Sequence, residues 1–193
     1  RDPIKDMAGY ERTLARTREL IEGAGAVLEI GCGTASTALR LAPSVARLVA
    51  TDVSPEMIAI SREKTAAAGI ANLELAVAPA DRSPGEAGAF DAVLAFNLLH
   101  LVPDRRAVLA DIRRLLKPGR LFVSKTACIA EMNPLIRLAL PLARALGKAP
   151  HVGVFGARAL MEEIEAAGFR IVEHGRHGSG RRDPRIFLVA EKV

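Results

Sequence analysis

Glu29-Ile30-Gly31-Cys32-Gly33-Thr34-Ala35 follows the apolar run Ala26-Val27-Leu28 and leads into a segment of helical spacing that runs to about Ala42. It therefore reads as a strand that turns through glycines into a helix. Glycine lets the chain turn tightly there and lets a ligand approach the backbone with no Cβ in the way. Two glycines alone can be mere punctuation, so the decision rests on what surrounds them. Val45 to Thr51 reads as a second strand ending at Asp52, which lies 21 positions after Gly31. A carboxylate so placed can accept hydrogen bonds from both hydroxyls of an adenosine ribose.

The pattern continues in both directions. Before the first strand, Tyr10, Leu14, Thr17 and Ile21 recur at helical spacing among charged residues, and Gly23 and Gly25 stop that helix. After Asp52, Ser54 is placed to cap a helix that starts at Pro55 and runs to Ala68, with Gly69 closing it. Leu73 to Val77 and Phe90 to Phe96 read as the third and fourth strands. Asp104 begins a helix with the stripe Val108, Ile112, Leu115 and Leu116, which Lys117-Pro118-Gly119 ends before a fifth strand, Arg120 to Thr126. The apolar, Pro-interrupted segment 131–148 precedes a helix over Ala157 to Ala167. Two last strands, Phe169 to His174 and Arg185 to Ala190, are separated only by the loop Gly175 to Pro184 and should form an antiparallel hairpin. Strands alternating with helices predict an α/β fold with a mostly parallel sheet, because parallel neighbours need a crossover that the helix supplies.

Composition narrows the class. The chain has 193 residues, 50% of them apolar and 25% charged, which suits one globular domain and excludes a disordered or collagen-like chain. Lys plus Arg outnumber Asp plus Glu 27 to 22, an excess too small to indicate nucleic acid. The two cysteines, Cys32 and Cys128, lie far apart and outside any ligand cluster, so neither a disulfide framework nor a metal site is expected. Arg1 to Gly9 lacks the apolar core of a signal peptide, and no apolar run approaches the roughly 20 residues that span a bilayer. A soluble, cytoplasmic protein is the expectation, with monomer and homodimer both open.

With these residues in place the chain resembles the class I S-adenosylmethionine-dependent methyltransferases over about Tyr10 to Lys192. Val27 to Ala35 is similar to their first motif, and Thr51-Asp52-Val53-Ser54-Pro55-Glu56-Met57 to their second. Phe90 to Ala95 resembles the fourth strand and Leu115-Leu116-Lys117-Pro118-Gly119-Arg120 the turn into the fifth. The likeness is greatest to the ubiquinone/menaquinone-biosynthesis-like branch that acts on small molecules. It implies a Rossmann-like three-layer sandwich, a seven-stranded sheet with an antiparallel C-terminal hairpin strand, and S-adenosylmethionine as cofactor, leaving as S-adenosylhomocysteine.

By position, the resemblance implies that Glu29 orients the methionine ammonium and that Gly31, Cys32 and Gly33 lie against the methionine part. Asp52 would hold the ribose, Val53 and Met57 would flank the adenine, and Asn97 would line the methionine end. An acidic residue just after the third strand meets the adenine amino group in many relatives. Direct register puts Pro79 there, followed by Ala80 and Asp81, so Ala80 and Asp81 are the candidates. The family's third glycine is Ala35 here.

Transfer from a sulfonium needs mainly positioning and exclusion of water. If a base is used, His100 beyond the fourth strand is the candidate, set against a purely structural histidine. Lys125 and His151 are further candidates to touch substrate. The segment 132–146, within an insert spanning 129–155, sits where a substrate cap is expected and suits an apolar or aromatic acceptor. Arg176, Arg181 and Arg182 read as an exposed hairpin tip. No Asn/Asp-Pro-Pro-aromatic motif and no aromatic platform is present, which argues against nucleic acid as acceptor. An NAD-dependent oxidoreductase shares the opening but requires glycine at position 36, where Ser36 stands. A binding protein without turnover is the remaining rival, since fold does not fix reaction.

Overall fold

The computed structural model describes residues 6–132, 152–180 and 183–193. Most of the insert expected over 129–155, the apolar segment within it, His151, Arg181 and Arg182 lie outside the described residues. Seven strands, β1 (Ala26–Ile30), β2 (Arg47–Asp52), β3 (Leu73–Val77), β4 (Phe90–Phe96), β5 (Leu116–Ala127), β6 (Phe169–Gly175) and β7 (Arg185–Lys192), form one sheet in the order β3-β2-β1-β4-β5-β7-β6. β1 to β5 run parallel, whereas β7 is antiparallel to both β5 and β6. The expected hairpin is present, and its second strand inserts next to β5, leaving β6 at the edge.

The helices are α1 (Met7–Ile21), α2 (Ala38–Leu41), α3 (Pro55–Ala68), α4 (Arg105–Leu115) and α5 (Ala157–Ala166). Three begin on a side chain that accepts a backbone N–H left over at the helix start: Asp6 from Gly9, Ser54 from Met57 and Asp104 from Ala107. Gly69 ends α3 at φ 64°, a left-handed conformation that glycine adopts without steric cost.

Two expectations are corrected. The helix after the glycine turn begins only at Ala38, and a 3-10 turn over Ala42–Ser44 follows it, because Gly33 and Ala35 hold left-handed backbone at φ 56° and 53°. Ala35 thus occupies a glycine conformation with its methyl fully buried. The second correction concerns Lys117-Pro118-Gly119, which lies inside β5 and not before it. Phe90 pairs with Leu116 and Ala92 with Leu121, so residues 117–120 bulge from the ladder, where Pro118 has no N–H to donate.

Side chains alternate across the strands and divide the core in two. On one face Leu28, Val93 and Phe122 pack with Ile112 of α4 and Leu160 of α5. On the other, Val27, Leu94 and Val123 pack with Leu14 of α1, Leu41 of α2 and Ile58 of α3. This is the three-layer arrangement. No helix among the described residues is long and apolar enough to cross a membrane.

Asp91 joins three elements outside the ligand end of the sheet. Its carboxylate accepts from the Ala26 backbone at 3.0 Å and from Lys117 Nζ at 2.8 Å, with Arg120 at 3.7 Å. Replacing Asp91 by Ala orphans a strand-entry N–H and removes the anchor of the β5 bulge, so Asp91→Ala should cost about 1–3 kcal/mol. Urea unfolding should show this as a lower midpoint at unchanged slope.

Candidate functional site

Strand order reverses between β1 and β4, and ligand crevices in open α/β sheets form outside the carboxyl ends at such a switch point. The glycine loop leaves β1 at this place and is fastened on three sides. Cys32 N donates to Thr51 O at 2.9 Å, Gly33 N to Asp52 Oδ2 at 2.8 Å, and Ser61 Oγ of α3 to Gly33 O at 3.0 Å. Gly31 has φ 70°, and a Cβ built there would meet Leu98 Cδ1 at 2.7 Å. Both facts disfavour a side chain there.

Two cavities open around this loop and meet at Gly31, Asp52, Asn97 and Leu101. The first, about 400 Å³, runs between the end of β2 and the turn into α4 and is lined by Val53, Pro79, Ala80 and Asp81. The second, about 310 Å³, runs under α1 and is lined by Glu29, Cys32 and Gly33 opposite Tyr10, Thr13 and Lys125. Nine of the ten residues expected at the cofactor lie on one or both walls: Glu29, Gly31, Cys32, Gly33, Asp52, Val53, Ala80, Asp81 and Asn97. Met57 is the exception. It stands 41% exposed on the first turn of α3 and lines neither cavity, and His100 is likewise absent from both walls.

Glu29 is 2% exposed, and its Oε2 has no hydrogen-bond partner among the described residues. Burial raises its pKa to about 8, since a charged carboxylate there has lost its water. The neighbouring Cys32 thiol is also pushed up, first by burial and then by the carboxyls of Glu29 and Asp52, so it is an unreactive thiol. Burial lowers the pKa of His100, and its Nδ1 has no partner among the described residues. Lys125 is 6% exposed, donates to Thr13 Oγ1 at 2.8 Å, and has its pKa lowered chiefly by burial.

Sequence reasoning missed Tyr10, Thr13 and Arg185 as parts of the second cavity. Each reaches it from an element far away in the chain, and no local pattern marks such a contact. Among the described residues no group of His, Cys, Asp or Glu is gathered in a way that would hold a metal.

A glycine loop at the switch point, an acid ending β2 and a sheet closed by an antiparallel hairpin define the class I methyltransferase architecture. Residues 27–119 match the family model described as a methyltransferase domain. A ubiquinone biosynthesis O-methyltransferase of Xanthomonas axonopodis pv. citri is 35% identical over 106 residues, which cover 54% of this chain and 44% of that protein. The crystal structure of YcgJ from Bacillus subtilis superposes with a TM-score of 0.77 at 17% identity, covering 94% of this chain and 98% of that one. N-methyltransferase NodS from Bradyrhizobium japonicum, crystallised with S-adenosyl-L-homocysteine, gives a TM-score of 0.74 at 20% identity, covering 97% and 89%. The chain spans about half the length of the curated relatives it matches. Over residues 27–119 it is thus similar to methyltransferase domains, and its fold is that of the class I methyltransferases. Within that class its sequence is similar to the methyltransferases of ubiquinone and menaquinone biosynthesis.

The Glu29 carboxyl should leave a signature in stability. The folded chain holds a proton up to about pH 8 that the unfolded chain releases at the ordinary value of 4.5. The folded state therefore binds more protons between these limits, and this group's contribution to stability falls as pH rises through that window. The loss is at most about 1.4 kcal/mol per pH unit for one proton. Urea unfolding from pH 5 to 8 should show a flatter dependence in Glu29→Gln than in the parent chain.

Proposed function

We propose that this chain binds S-adenosylmethionine across the two cavities and transfers its methyl group to a small, apolar or aromatic acceptor. The observation that carries this reading is the buried Glu29 carboxyl, unpartnered among the described residues and placed beside a glycine loop whose backbone is bare at Gly31. A carboxyl held without a counter-ion on a cavity wall suits a ligand ammonium, whose charge would draw it into the ionised form. The solved NodS complex adds that a protein of this fold holds S-adenosyl-L-homocysteine.

On this reading the second cavity takes the methionine part, with Glu29 on its ammonium and the Gly31–Gly33 backbone against it. The first cavity takes the adenosine. Asp52 faces both, and each of its oxygens, already accepting one backbone N–H, keeps a lone pair for a ribose hydroxyl. Val53, Ala80 and Asp81 line the adenine end. The cofactor supplies an electrophilic methyl on a sulfonium; the protein's part is to hold the acceptor in line and keep water out. An apolar acceptor fits the aliphatic composition of residues 132–146. The buried, unpaired thiols of Cys32 and Cys128 suit a reducing cytoplasm.

Calorimetric titration with S-adenosylmethionine, S-adenosylhomocysteine and NAD tests the reading. The first two should bind in the micromolar range and NAD should not, and Asp52→Asn should weaken binding about tenfold or more while leaving the fold intact. Binding of NAD alone, or of none of the three, would overturn it. His100 lines neither cavity, so turnover of His100→Ala should stay within about threefold of the parent. A loss of several hundredfold with the fold retained would instead make His100 the proton acceptor.

A further inference from the structure

Glu29, Phe96 and Lys125 stand on the face of the sheet that α1 covers, one on each of β1, β4 and β5, and Phe96 and Lys125 are direct register partners. The second cavity is therefore polar at both ends. Glu29 marks the end beside the glycine loop. Lys125 lies two strands away, on the far side of the point where Asn97 leaves β4, and the backbone N–H of Asn97 donates to Lys125 O at 2.7 Å.

The ammonium of Lys125 is a buried donor group with three N–H bonds. Thr13 Oγ1 accepts one at 2.8 Å and Gly9 O is at 3.4 Å, both on α1. No carboxylate among the described residues makes an ion pair with it. The charged and titratable groups around it come from three directions, and all are already engaged except Asp183 Oδ2, which has no partner among the described residues. Asp6, at the start of α1, accepts from Gly9 N and from both Ser179 N and Oγ. Asp183 accepts from Arg185 Nε at 2.7 Å. Arg12 donates to His177 O and Ser179 Oγ, and His177 contacts Thr13 Oγ1 and stacks on Phe187. Burial and the charge of Arg185 disfavour the ammonium form of Lys125 more than the more distant carboxylates of Asp183 and Asp6 favour it, so an anion entering the cavity would supply the direct ion pair that no described carboxylate makes.

We propose that Lys125 recognises a carboxylate on the methyl acceptor, which makes the preferred acceptor an apolar or aromatic acid. The inference rests on the cofactor reading above. S-adenosylmethionine also carries a carboxylate, but on that reading its ammonium lies on Glu29 at the glycine loop of β1, and Lys125 stands two strands away on β5. A neutral acceptor would leave a buried cation facing the reacting groups with no counter-charge.

The test uses the protein saturated with S-adenosylhomocysteine and two probes of nearly equal shape, phenylacetate and phenylacetamide, followed by ligand-observed NMR titration. Phenylacetate should bind about tenfold or more tightly than the amide. In Lys125→Met, again saturated with S-adenosylhomocysteine, that preference should disappear. Absence of a carboxylate preference in the parent, whether both probes bind alike or neither binds, overturns the proposal without any variant. So does a preference that survives Lys125→Met. Loss of S-adenosylhomocysteine binding in a folded Lys125→Met would assign Lys125 to the cofactor's carboxylate instead. Failure of the parent to bind S-adenosylhomocysteine sinks the cofactor reading itself and this inference with it.

Discussion

Each oxygen of the Asp52 carboxylate accepts one backbone N–H, Oδ2 from Gly33 at 2.8 Å and Oδ1 from Ser54 at 3.0 Å. These two bonds join the loop leaving β1 to the turn that starts α3, and Thr51 O holds the same loop one residue earlier through Cys32 N. The strain of left-handed backbone at Ala35 persists because the surroundings fix the loop on several sides. Everything the site offers, including the bare backbone at Gly31 and the meeting of two cavities there, depends on that loop staying where β2 holds it. Asp52 therefore shapes the loop and faces both cavities at once.

The second constraint is electrostatic. Two ionisable side chains are buried on the α1 face, one acid and one base, and neither is paired with an opposite charge among the described residues. Removing a charge from water without a counter-charge is costly, so a pocket that does this twice is set up for a ligand that brings both signs. The helix α1 is what covers the pocket. It supplies Thr13 and Gly9 O to Lys125, buries Leu14 in the core, and closes over Glu29 through residues that β1 never meets in sequence.

Much of this was legible without coordinates. The five parallel strands and the terminal hairpin follow from apolar runs, glycine breaks and the caps Ser54 and Asp104, all of them local signals with a direct physical cause. Nine of the ten cofactor candidates that the resemblance implies line the cavities, since they stand at the carboxyl ends of β1 to β4. Met57, which the resemblance sets beside the adenine, lines neither cavity and is 41% exposed on the first turn of α3. The bulge at 117–120 escaped notice because Lys-Pro-Gly ends a helix and interrupts a ladder equally well, and only the pairing of Phe90 with Leu116 separates the two.

The sequence by itself determined the order of elements, the parallel sheet and the position of the glycine loop at its switch point, since periodicity, capping and glycine conformation are properties of neighbouring residues. Tertiary structure alone decided which side chains share a cavity. Tyr10, Thr13, Lys125 and Arg185 converge there from α1, β5 and β7, and contacts between residues so far apart in the chain exist only once the layers have packed. The burial of Glu29 and Lys125, and with it the displacement of their pKa values, is a property of that packed state, because desolvation depends on what covers a group and not on what precedes it in the chain.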